Sequence, residues 1–169
     1  MNEPPDDTPG ESLAPEELLT EGAAQLLAGV EQLGPAWVER AVEGIVSAWG
    51  RLDDETLART RAAAVTAGRQ ATDRVLSELR ALFALDPAAQ RVTPLEVIRS
   101  LRREATAVLA DAGIPPVERD EFDERAFPDD VYAIVLKSVV ELGDEDLGPA
   151  LLAWGMGKAK VLRSRANPP

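Results

Sequence analysis

Apolar side chains recur at helical spacing along nearly the whole chain, and no run alternates in the manner of a half-buried strand. Leu18, Leu19, Gly22, Leu26, Val30 and Leu33 form a first stripe, opened by Pro15 at a first-turn position with Glu16 and Glu17 beside it. Gly34-Pro35 predicts its end. A second helix is expected from Trp37, Ala41, Ile45 and Trp49, which fall on one line with Val38, Val42 and Val46 beside it. Glu39, Arg40, Glu43 and Ser47 take its other face, and Gly50 closes it. The two tryptophans read as core anchors, because an indole buries a large area. A third, long helix starts at an Asp53 or Asp54 cap and runs to about Leu85, where Asp86-Pro87 stops it. Its middle, 62–68, is small on nearly every face, which suits close approach of another helix or a bend at Gly68.

The sharpest local signal is Thr93-Pro94-Leu95-Glu96, a capping box with proline at the first helical position. Val97, Ile98, Leu101, Ala105, Val108, Leu109 and Ala112 mark the buried side of the helix it opens. Arg99, Arg102 and Arg103 face elsewhere, and Gly113 takes the position after the cap. Ile114-Pro115-Pro116 breaks the chain before a charged segment in which Phe122 and Phe127 fit a short helix. Residues 131–142 are apolar and β-branched; helix is expected there, since no other segment offers a partner strand. Pro149 opens a last helix carrying Leu151, Leu152, Met156, Ala159 and Leu162. The expectation is an all-α single-domain bundle of five to six helices over 15–166. A disordered acidic leader at 1–14 and a frayed tail at 167–169 flank it.

Composition narrows the chemistry. With 169 residues, 45% of them hydrophobic, the chain is long enough for a real core without staples. Histidine and cysteine are both absent. That removes disulfides, the usual zinc sites, histidine- or cysteine-based nucleophilic catalysis and a histidine pH switch. Catalytic residues, metal ligands and cofactors are accordingly none on this reading, and an enzyme is the less favoured class. The acidic run Glu118, Asp120, Glu121, Asp123, Glu124, Asp129 and Asp130 is the densest carboxylate cluster, but it lacks the glycine and ligand spacing of a calcium loop. Gly155-Met156-Gly157-Lys158 lacks the spacing of a phosphate loop and reads as close helix packing.

Charge is uneven: residues 1–31 carry no base, whereas every charged side chain after Asp146 is Lys158, Lys160, Arg163 or Arg165. The net charge of −12 argues against nucleic acid as a partner. No apolar run is long enough to span a bilayer, and the acidic start is the reverse of a secretory signal, so a cytoplasmic protein is expected. The stretch 93–99, the run from Asp111 through Gly113-Ile114-Pro115-Pro116, and Ala126-Phe127-Pro128-Asp129-Asp130 resemble a group of actinobacterial proteins with no assigned activity. The resemblance implies a bacterial cytoplasm and adds no site.

A non-enzymatic interaction or regulatory protein follows as the leading expectation, its partner another protein or a second copy of itself. The expected patch is Glu118–Asp130 with Arg99, Arg102 and Arg103 beside it. One rival is a ligand or carboxylate-enzyme site in the bundle lined by Trp37, Trp49 and Trp154. The other is nucleic-acid contact through the basic end, for which docking within the chain is an equally good reading.

Overall fold

The computed structural model describes residues 13–115 and 147–167. Within them every regular element is a helix: α1 (Pro15–Trp49), α2 (Asp54–Ala84), α3 (Pro94–Ile98), α4 (Leu101–Asp111) and α5 (Gly148–Ala166). The short α3 leads straight into α4, so the described residues form a bundle of four helices. The expected elements at 122–127 and 131–142 lie outside them, as do residues 1–12 of the leader.

Two helices broken at Gly34-Pro35 are expected, and a single helix of 35 residues is found with Pro35 inside it. Proline removes the amide that would bond the Glu31 carbonyl and crowds the preceding turn, at a cost of about 3 kcal/mol. The buried stripe nonetheless keeps its phase through the proline. Gly22, Leu26, Val30 and Gly34 continue into Val38, Val42 and Val46, with Trp37, Ala41 and Ile45 alongside. Burying a Val or Ile side chain stabilises by roughly 1.5–3 kcal/mol. The run beyond the break therefore outweighs the proline penalty.

α1 is the spine. α2 lies antiparallel on its second half, where a Cβ on Gly34 would fall 2.6 Å from the Thr72 hydroxyl and one on Gly68 would strike the Pro35 carbonyl. The small middle of α2 thus serves close approach, and no break occurs at Gly68. α5 lies antiparallel on the first half. There a Cβ on Gly157 would fall 2.5 Å from the Leu19 amide nitrogen, and one on Gly22 would run into the Trp154 backbone. Phe83 and Trp154 meet with ring centres 6.3 Å apart and planes tilted by 48°, joining α2 to α5.

Two further expectations change. Trp37 is buried, but Trp49 at the end of α1 is 38% exposed, with the Arg51 guanidinium 5.6 Å from its ring centre. The buried face of α5 is Ala150, Trp154, Gly157 and Val161, leaving Leu152 and Met156 64% and 46% exposed. The glycine crossing explains this rotation: α5 turns Gly157 to α1 because no larger side chain fits there, which swings Leu152 and Met156 to the outside.

Ends follow local chemistry. Asp53 caps α2, its carboxylate accepting from the Thr56 amide at 2.8 Å. α4 finishes at Gly113 with φ +79, a left-handed conformation that glycine adopts without strain. The Ile114 amide bonds back to the Leu109 carbonyl, and the Ile114 side chain is buried over the end of the helix.

Candidate functional site

The capping box positions the arginines. Thr93 Oγ1 accepts from the Glu96 amide at 3.3 Å, and Glu96 Oε2 accepts from the Thr93 amide at 2.6 Å. This reciprocal pair fixes where the helix starts. Val97, Ile98, Leu101 and Ala105 then turn into the core, which dictates where the intervening side chains point. A continuous helix is expected from Pro94 to Asp111; a tightened turn interrupts it at Arg99-Ser100. There the Ser100, Arg102 and Arg103 amides bond three residues back, to Val97, Arg99 and Ser100, at 3.1, 3.2 and 3.1 Å.

Arg99, Arg102 and Arg103 line one groove of about 370 Å³, Arg99 from the tightened turn and the other two from the first turn of α4. Val92 and Val97 supply its apolar surface, while Glu78 of α2 and Glu96 are its two acids. Ser100 also lines it; the Ser100 hydroxyl oxygen is shut off from solvent and has no hydrogen-bond partner among the described residues. Nearby, Arg74 of α2 pairs with Glu104 of α4 and ties the two helices together. Glu78, Val92 and Ser100 are additions to the expected patch. Nothing in the order of residues along α2 says that the face bearing Glu78 borders α4; that follows only from the packing of the two helices.

The acidic half of the expected patch, Glu118, Asp120, Glu121, Asp123, Glu124, Asp129 and Asp130, lies outside the described residues. The basic end finds its partners in the loop after α2. Arg165 bonds Asp86 Oδ2 at 2.7 Å, and Lys158 Nζ donates to the Gln90 carbonyl at 3.2 Å while standing 5.1 Å from the centre of the Trp154 ring. Lys160 and Arg163 are exposed. Gln90 is buried and donates to the Leu82 and Leu85 carbonyls at 3.2 Å each, closing the end of α2.

Four carboxylates titrate below their ordinary values, each through a local surface contact. Glu96 is held down chiefly by the Thr93 amide, with the charge of Arg99 adding to it. The Thr56 amide lowers Asp53, the Arg165 hydrogen bond lowers Asp86, and the Arg61 hydrogen bond lowers Glu43. None of these four is a carboxyl pushed upward, as a general acid working near neutrality must be. The tryptophan-lined site does not assemble: Trp37 and Trp154 are packed in the core, and Trp49 lies at the exposed end of α1. Among the described residues, no three acidic side chains converge as a metal site would require. No helix among them is long and apolar enough to cross a membrane. The chain matches no protein-family model, no curated protein and no solved structure.

Proposed function

We propose that the protein is a non-enzymatic interaction or regulatory protein that makes contact with another protein through the groove at the α3–α4 turn. The observation that carries this reading is the gathering of Arg99, Arg102 and Arg103 around one groove, in a chain whose net charge is −12. Arginine is the residue of choice for recognising carboxylates, because its planar fork matches them and holds its charge at any working pH. The lowered carboxylates described above support the same reading, since each is occupied in capping or pairing. A bacterial, cytoplasmic setting belongs to this proposal, on the strength of the actinobacterial resemblance.

Co-purification from a native lysate tests it, comparing the wild-type chain with R102E/R103E. A protein retained by the first and lost from the second is expected. Retention of nothing by the wild type, together with a monomer in light scattering, contradicts the proposal.

A further inference from the structure

α5 runs unbroken from Gly148 to Ala166, so helix geometry fixes the spacing of the side chains along it. Pro149, Leu152, Met156, Ala159 and Arg163 recur at steps of three, four, three and four, and all five are exposed. They fall within about 80° of one another around the axis and make a row about 21 Å long. An apolar row at that spacing is the seam by which one helix packs on another. Its first four members are apolar, and the row ends on Arg163 with Lys160 beside it. α5 carries no acid, and neither Lys160 nor Arg163 forms an ion pair with a described carboxylate.

Independently of the arginine groove, we infer that this face binds a second copy of the chain, the two α5 helices packing antiparallel about a two-fold axis level with Trp154. A two-fold contact needs a surface that complements itself. With the axis at that level, Leu152 of one copy meets Met156 of the other, and Pro149 meets Ala159. Lys160 lies opposite Gly148 of the other copy and Arg163 opposite the residues just before it, where Glu145 and Asp146 stand within two peptide units of Leu147. The cations of each copy are thus set towards acids of the other, while the two Lys160 residues are about 18 Å apart along the axis. A parallel pair would instead stack Lys160 on Lys160 and Arg163 on Arg163, which like charge disfavours. The net charge of −12 opposes association at long range, but salt screens that repulsion beyond about 8 Å, and the two facing helices add no negative charge to it. A helix face about 21 Å long and 10 Å wide covers far less than the roughly 800 Å² per partner of a stable interface, so the dimer is weak and forms as concentration rises.

The test is sedimentation equilibrium of the full chain from micromolar to millimolar concentration. The wild type is expected to pass from monomer towards dimer across that range. L152S/M156S, at two exposed positions that the fold does not need, is expected to weaken the dimer about tenfold or more. E145K/D146K reduces the net negative charge, so general repulsion alone would strengthen association, yet it is expected to weaken the dimer because the acids opposite Arg163 are gone. Combining it with K160E/R163E restores opposite charges across the seam and is expected to recover the dimer. The chain has no cysteine, so introduced thiols report the direction of packing. L152C mixed with M156C is expected to give a disulfide-linked pair, whereas two A159C chains hold their thiols about 15 Å apart along the axis and should not. A wild type that stays monomeric at the highest concentration overturns the inference, whether another protein or another part of this chain then covers the face. So does a dimer that L152S/M156S leaves intact, or one that R102E/R103E dissolves, because self-contact then lies elsewhere. Stronger association in E145K/D146K, or ready crosslinking of A159C to itself, overturns the antiparallel pairing.

Discussion

Gly155 and Gly157 stand two residues apart on α5, and their environments are opposite. A Cβ on Gly157 would fall 2.5 Å from the Leu19 amide nitrogen, whereas nothing lies within 4 Å of one placed on Gly155. Gly157→Ala therefore forces α5 away from α1 and is expected to destabilise by about 1–3 kcal/mol. Gly155→Ala adds helix propensity in open space and is expected to stabilise by roughly 0.5–1 kcal/mol. Urea unfolding of the two variants checks this, and equal shifts of one sign would contradict the glycine crossing. Ser100 offers a second test at this scale. Its hydroxyl oxygen is buried without a partner among the described residues, and leaving such a group unsatisfied costs about 1–3 kcal/mol. Ser100→Ala is expected to raise the unfolding midpoint; a clear fall would mean that the hydroxyl is satisfied in solution.

Single elements are where the reading of the sequence succeeds best and where its failures have a visible cause. The capping box at Thr93, the Asp53 cap, the stop at Asp86-Pro87 and Gly113 at the end of α4 all depend on neighbours within a few residues, so they are legible in order along the chain. Thr93→Ala removes one half of the box and is expected to cost about 1 kcal/mol, read as a lower thermal midpoint. Pro35 is also a local signal, but burial of the continuing stripe overrides it. The uninterrupted phase from Leu26 to Val46 was the available clue. The rotation of α5 depends on which helix meets Gly157, a tertiary fact with no local sign. The arginine spacing was readable, while the Glu78 side of the groove was not. At the foot of α5, Asp86 is lowered from its ordinary value of 3.8 chiefly by its bond to Arg165. A lowered carboxylate contributes stability above its unfolded value, and that contribution is lost as pH falls through the folded one. Asp86→Asn keeps an oxygen for the Ala88 amide and removes the charge. The wild type is expected to exceed this variant in thermal midpoint by a small margin at neutral pH, and the two should converge as pH falls through the lowered Asp86 value. A margin that persists in acid would show that the ion pair is not its source.

Across the whole molecule, α1 holds α2 and α5 through two glycine crossings, and α3–α4 packs against α1 and α2. Two surfaces then stand out among the described residues. One is the arginine groove with Val92 at 47% exposure; the other is the outer face of α5 with Leu152 and Met156. They differ in chemistry, and the proposed contact with another protein lies on the first. Site-specific photo-crosslinking separates them most directly, with a benzophenone side chain placed at Val92 in one protein and at Met156 in another, and both irradiated in cells. A discrete adduct is expected from position 92, and it should disappear when Arg102 and Arg103 are replaced by glutamate. An adduct from position 156 alone, or one from position 92 that ignores those arginines, would contradict it.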